Sequence, residues 1–329
     1  MKILSIETSC DETSASVVKN GKEILSNVIA SQVEFHKKYG GIVPEVASRK
    51  HIEVIAAVVN QAIADSKTPL KKIDAVAATF GPGLVGALIV GLNYAKAIAY
   101  ALKKPFIPVN HIEGHIYANF LMPKPPKFPF VCLVVSGGHT QLVLMKHHGK
   151  YETLGKTRDD AAGEAFDKVA RFLEIGYPGG PVIDQMSKKG DPKAIDFPRA
   201  MMDEGYDFSF SGLKTSVVNY VKRNGMPKKL PDLVASFQQA AVDILVEKAI
   251  KAAKDKKVKW IALAGGVSAN SRLREDLKRR AKEEGFNVSI PPMIFCTDNA
   301  AMIGSAAYYL IKKVKKSNLD IEAVSTLRI

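Results

Sequence analysis

Cysteine is scarce in this chain. Only Cys10, Cys132 and Cys296 occur in 329 residues, an odd number with no CxxC pair. That argues against a disulfide frame and fits a reducing cytoplasm, which is the expected location. An uninterrupted apolar run long enough to span a membrane is also missing. The nearest approach, residues 84–102, is broken by Gly86, Gly91, Asn93 and Lys96 and reads as a buried helix, so no membrane partner is expected. The opening Met1-Lys2-Ile3-Leu4 enters a strand-like run with no small-residue cleavage site, which argues against secretion. Acidic residues are outnumbered, 33 against 47 Lys and Arg, leaving a formal net charge of +14.

The basic excess comes in short runs: Lys37-Lys38, Lys103-Lys104, Lys188-Lys189, Lys228-Lys229, and the lysines within 251–259 and 312–316. Such a field attracts a polyanion such as RNA, although a Lys-rich solvated surface of the thermophile kind has the same composition. No RNA-recognition or helix-turn-helix signature accompanies it.

A chain of this length suggests two domains of about 150 residues each. The pattern along it is a duplication. Strand-like runs at 2–7, 14–19 and 23–30 are separated by turns, with Asn20-Gly21 at the second; a second set appears at 130–135, 140–146 and 151–155 with a reversal at Gly149. Each set is followed by helical segments and then a strand entering a glycine turn, at 75–79 into Gly81-Pro82-Gly83 and at 260–264 into Gly265-Gly266. Two α/β domains around a cleft follow, 1–129 and 130–329, with a nucleotide held by glycine loops. The spacing Gly81-x-Gly83-x-x-Gly86 also matches a dinucleotide fingerprint, but the next strand ends in Val109-Asn110-His111 without the acid that would hold a ribose.

His111 and His115 follow a short strand at 106–109 and stand four apart, one face of a helix turn. With Asp298, in a comparable loop-to-helix position, they form a candidate site of two His and one carboxylate, a set that leaves coordination positions open as catalytic metal sites do. The alternative is two ordinary histidines on a wet helix face. A zincin reading of His-Ile-Glu-Gly-His fails because the acid, Glu113, is displaced from the position next to the first His and turns to another face.

The two hairpin turns differ in chemistry. Residues 8–13 are hydroxyl-rich and acidic, whereas Ser136-Gly137-Gly138-His139-Thr140 would let backbone N–H groups approach a phosphate. Asp159, Asp160, Asp167 and Asp184 lie around glycine-containing loops; such acids hold ribose hydroxyls or cap helices, and capping suits Asp159 and Asp160. Ser211 is expected to N-cap the helix after it.

The stretches 6–13 (IETSCDET), 39–45 (YGGIVPE), 81–84 (GPGL), 111–115 (HIEGH), 135–140 (VSGGHT), 207–214 (DFSFSGLK) and 296–299 (CTDN) together closely resemble the bacterial TsaD family, over nearly the whole chain. The resemblance implies a tRNA threonylcarbamoyladenosine synthase with the duplicated actin-like α/β fold of the actin, sugar-kinase and heat-shock-chaperone ATPases. It implies transfer of a threonylcarbamoyl group from threonylcarbamoyl-AMP to the exocyclic amine of the adenosine 3′ of the anticodon in tRNAs reading ANN codons. By that similarity His111, His115 and Asp298 hold one Fe2+ or Zn2+. Val134, Val135, Ser136, Gly137, Gly138 and His139 line the acyl-adenylate, and Asp167, Gly180, Asp184 and Asn270 hold its ribose and adenine side. Mg2+ could accompany the nucleotide. Asp11 and Glu12 are the candidates for catalytic proton transfer, and the implied partners are tRNA, the paralogue TsaB and the small ATPase TsaE. The rival from another class is an ATP-binding scaffold of the same fold that does no chemistry.

Overall fold

The computed structural model describes residues 1–311 and 319–329; the lysine run at 312–316 lies outside the described residues. The first strands form an antiparallel meander, β1 (Lys2–Glu7), β2 (Glu12–Lys19) and β3 (Glu23–Ser31). Asn20 and Gly21, both at positive φ, make the tight turn between β2 and β3, a conformation that favours these two residue types. The single turn α1 (Val33–His36) and the long helix α2 (Pro44–Asp65) lead to β4 (Ala75–Gly81), helix α3 (Val85–Leu102), β5 (Phe106–Asn110) and the short helix α4 (His111–Tyr117). Strands β4 and β5 join in parallel, giving the order β3-β2-β1-β4-β5.

The second set repeats this plan. Strands β6 (Phe130–Val135), β7 (Thr140–His147) and β8 (Lys150–Lys156) form the meander. Helices α5 (Ala162–Phe172), α6 (Gly179–Ser187), α7 (Ser211–Asn224) and α8 (Leu230–Asp255) intervene before β9 (Trp260–Ala264), α9 (Ser271–Glu283) and β10 (Asn287–Ser289). The order is β10-β9-β6-β7-β8, with β9 parallel to β6. Every residue of the central strand β6 is buried, as its unbroken apolar run requires. Phe166 of α5 meets Phe237 of α8 edge to face at 5.3 Å, a contact worth about 0.5–1.5 kcal/mol beyond its burial.

The chain then returns to the first sheet. The compact units are Met1–Pro125 with Pro291–Ile329, and Pro126–Ile290, so residues 291–329 pack with the first unit, whereas the expected second domain ran to 329. The reason is local. On β1, Leu4 and Ile6 join the core beneath α2 and α3, while Ser5 and Glu7 alternate to the other face. There α10 (Ala300–Leu310) settles close: Ser5 Oγ donates to Ala300 O at 2.6 Å, Ala300 N donates to Ser14 Oγ at 2.9 Å, and a Cβ on Gly304 would lie 2.7 Å from Val18 Cγ2. Small side chains on strand and helix admit an approach that larger ones would block.

Helix α3 is the one described helix long and apolar enough to cross a membrane. Its inner stripe, including Leu88, Leu92, Ala95 and Ala99, is buried in the first unit's core as the glycine-interrupted sequence suggested.

Candidate metal centre and nucleotide loops

Asn110 ends β5 and caps α4: its Oδ1 accepts from the N–H groups of Ile112 at 2.8 Å and Glu113 at 3.3 Å. The helix therefore begins at His111, and the four-residue spacing sets the two imidazoles edge to face with centroids 4.6 Å apart. Their third partner comes from the segment before α10. Asp298 Oδ1 lies 3.6 Å from His111 Nε2 and 3.2 Å from His115 Nε2, and one ligand atom from each of the three residues falls within 4.8 Å of the others. Asn299 beside it caps α10 by accepting from Met302 N at 3.0 Å.

The wet-face alternative for the histidines is overturned, since His111 is 7% and His115 1% exposed. His115 Nδ1 has no hydrogen-bond partner, and Nε2 faces the Asp298 carboxylate at 3.2 Å. An unsatisfied buried polar group costs about 1–3 kcal/mol, which a ligated cation would remove. The surrounding electrostatics point the same way. Burial opposes the imidazolium of His111, but the carboxylates of Asp298 and Glu7 outweigh it and raise its pKa to about 9. Burial and the charge of His111 together lower that of His115. Burial, then Asp298 and Asp11, push the Glu12 carboxyl up to about 10. The Cys10 thiol is also raised, by burial first and then by Asp298, Asp11 and Glu12. This neighbourhood is crowded with negative charge and suits a divalent cation.

Glu12 thus stands within electrostatic reach of Asp298 and of Asp11 beside it. His51 holds their turn, with Nδ1 2.7 Å from Thr13 Oγ1 and Nε2 3.0 Å from the Cys10 carbonyl oxygen. Neither His51 nor Glu7 was singled out from sequence; the signal available for Glu7 was an acid in register with the buried face of an apolar strand.

In the second unit the predicted substrate residues make three separate sets of local contacts. Val134 and Val135 end β6 with buried side chains, which leaves only their backbone to offer a ligand. The turn after them closes on itself, Ser136 N donating to His139 O at 2.7 Å and His139 N to Ser136 Oγ at 3.1 Å. Gly163, at the start of α5, donates to Ser136 O at 3.2 Å, and a Cβ there would stand 2.6 Å from that same oxygen. Only glycine permits this approach. By contrast, side-chain space at Gly137, Gly138 and Gly180 is open. Asp167 Oδ1 accepts from Gly179 N at 2.7 Å, and Asp184 Oδ1 accepts from Ser271 N and Oγ at 3.1 and 2.8 Å. Asn270 caps α9 through Leu273 N at 2.9 Å and donates to Gln238 Oε1 at 2.8 Å.

The capping expectations need correction. Ser211 is the first residue of α7 and its side chain caps nothing there; Asp159 does that work, accepting from Phe210 N at 2.8 Å and Ser211 N at 3.3 Å. Nor do Asp159 and Asp160 cap α5, whose Ala162 N donates instead to Thr140 Oγ1 at 2.9 Å. Asp160 binds Lys168 and Lys214 at 2.7 and 3.0 Å. A carboxylate brought from another segment displaces the weaker local hydroxyl cap.

Comparison with known proteins bears on the fold and the family. Among solved structures, HypF from T. kodakarensis superposes with a TM-score of 0.66 over 97% of this chain and 49% of that one at 16% identity. The (R)-2-hydroxyglutaryl-CoA dehydratase component A of Acidaminococcus fermentans superposes with a TM-score of 0.57 over 96% of this chain and 100% of that one, also at 16% identity. These likenesses show the duplicated actin-like α/β fold. The tRNA N6-adenosine threonylcarbamoyltransferase of Clostridium botulinum (strain 657 / Type Ba4) is 60% identical over 100% of this chain and 98% of its own length. The protein of that name from Clostridioides difficile (strain 630) is 56% identical over 99% and 98%. The model of the TsaD family, tRNA N6-adenosine threonylcarbamoyltransferase, matches residues 23–305, and with relatives this similar along their whole length the chain belongs to that family.

Proposed function

We propose that this chain transfers the threonylcarbamoyl group of threonylcarbamoyl-AMP to the N6 amine of the adenosine 3′ of the anticodon in tRNAs reading ANN codons. The observation that carries the reading is the triad His111, His115 and Asp298, with both imidazoles buried and Nδ1 of His115 lacking a hydrogen-bond partner, in a chain of this family. An Fe2+ or Zn2+ ion held there would act as a Lewis acid on the carbonyl under attack. With the ion bound, His111 and His115 would present neutral imidazole nitrogens and Asp298 an anionic oxygen, a set of three that would leave positions open for substrate. Asp11 and Glu12 would accept the proton lost by the attacking amine, Glu12 once a bound cation offsets the charge of Asp298 that helps hold its carboxyl protonated.

In the second unit the backbone at 134–138 with His139 would receive the adenylate phosphate, whose departure as AMP its N–H groups would stabilise. Asp167, Gly180, Asp184 and Asn270 would bind the ribose and adenine side. Where Asp184 and Asn270 already hydrogen-bond within the chain, a ligand would use the remaining valences and the second carboxylate oxygen of Asp184, which has Lys188 Nζ at 3.9 Å. The charge of +14 favours tRNA as the macromolecular substrate. TsaB and TsaE are the proposed protein partners and the cytoplasm the proposed location.

The test is transfer of labelled threonylcarbamate from threonylcarbamoyl-AMP to unmodified ANN-decoding tRNA by the purified chain with TsaB and TsaE, beside His111→Ala. Label with the wild type and none with the variant is expected. No label from either, with folded protein and verified substrate, would overturn the transferase reading in favour of a nucleotide-binding scaffold.

A further inference from the structure

Glu7 closes β1 and is fully buried, yet both of its carboxylate oxygens are engaged. Oε1 accepts from the Ser9 N–H at 2.5 Å; Oε2 accepts from the Thr79 hydroxyl at 2.5 Å and faces His111 Nδ1 at 3.1 Å. Ser9 Oγ stands 3.0 Å from the same ring nitrogen. The opposite nitrogen of that ring, Nε2, is the one that faces Asp298. A buried carboxylate is costly unless hydrogen bonds satisfy it, and here they converge on a metal-ligand candidate.

We propose that Glu7 is the positioning residue of the metal centre: it accepts the Nδ1–H of His111 and holds the ring in the tautomer whose Nε2 is free to bind a divalent cation. This rests on reading His111, His115 and Asp298 as a metal site. An imidazole ligates through a nitrogen that carries no proton, and metal-bound histidines donate their other N–H to a carboxylate or carbonyl that sets the ring's angle. Glu7 can do this because its own position is set twice over, by the backbone just beyond β1 and by Thr79 of the neighbouring strand β4. Glutamine cannot substitute. Three donors, Ser9 N–H, Thr79 O–H and His111 Nδ1–H, converge on two oxygens, and an amide would turn its NH2 toward at least one of them.

The experiment titrates the full chain with Zn2+ against a chromophoric chelator, for wild type, Glu7→Gln and Thr79→Val, and records the ring 15N shifts of His111 in zinc-loaded wild type. The expected result is a zinc dissociation constant roughly 10–100-fold higher in Glu7→Gln, a smaller rise in Thr79→Val, and a wild-type His111 protonated at Nδ1 and zinc-bound at Nε2. Unchanged affinity in Glu7→Gln, or ligation through Nδ1, would overturn the role of Glu7 while leaving the metal site standing. If the wild type itself binds no zinc, the metal reading fails and this inference with it. Should Glu7→Gln not fold, the Thr79→Val titration and the wild-type ring shifts decide the matter alone.

Discussion

In both units an antiparallel meander is followed by two parallel strands, giving β3-β2-β1-β4-β5 in one and β8-β7-β6-β9-β10 in the other, but the turn after the first strand differs. In the first unit that turn carries Asp11 and Glu12 and lies near Glu7, Asp298 and two buried imidazoles. In the second it is Ser136-Gly137-Gly138, offering backbone with open space beside it. The comparison teaches that one scaffold can carry opposite chemistry by what fills a single turn, carboxylates in one unit and bare backbone in the other. Clustered buried carboxylates demand a counter-charge, whereas exposed backbone N–H groups favour an anion.

The hardest blow to this contrast should come from Asp298→Ala. It removes the proposed anionic ligand from the first unit, so metal content measured on the purified chain and threonylcarbamoyl transfer should both fall to background, while adenylate affinity measured by calorimetry stays close to wild type. If adenylate binding disappears together with the metal, the division of labour between the units is wrong.

Within the second unit, two glycines of one loop system should behave differently. Gly163→Ala places a Cβ 2.6 Å from Ser136 O and should cost about 1–3 kcal/mol in denaturant unfolding. Gly137→Ala meets nothing within 4 Å and should change stability by no more than about 0.5 kcal/mol, yet weaken adenylate binding by crowding its approach. Equal stability losses would mean that the turn is not the open cradle it is taken for.

The smallest effect is the acid response of the loop around Asp160. Burial alone would raise that carboxyl, but hydrogen bonds from Lys168 and Lys214 outweigh it and hold it below the usual range; the backbone N–H of Lys156, followed by Arg158, does the same for Asp207. Groups depressed in the folded state add stability above their unfolded pKa, and this is lost as falling pH protonates them. Melting temperature should therefore decline between about pH 5 and about pH 3, less steeply in Asp160→Asn than in wild type. An unchanged slope would remove this pair of lysines from the account.

Much of this is legible in the amino-acid sequence. Strands at 2–7, 130–135 and 260–264 occur with those limits because each is an apolar run bounded by turn chemistry, and the repeat of that pattern announced the duplication. The pair His111 and His115 was legible because helical periodicity alone puts i and i+4 on one face. Asp298 was legible through its loop-to-helix position and its motif, since nothing in local periodicity links it to a helix more than 180 residues earlier in the chain. The misassigned cap at Ser211 shows the same limit: the acceptor that won, Asp159, lies 52 residues away.

The sequence by itself determined the alternation of strands and helices, the repeat, the spacing of the two histidines and the glycines of the second turn, because these follow from short-range geometry and side-chain type. Only the tertiary structure decided that residues 291–329 join the first unit, that the histidines are buried with Asp298 between reach of both, and that Glu7 stands behind His111. Those outcomes depend on which small residues let α10 approach the sheet and on which distant polar groups satisfy one another once water is gone.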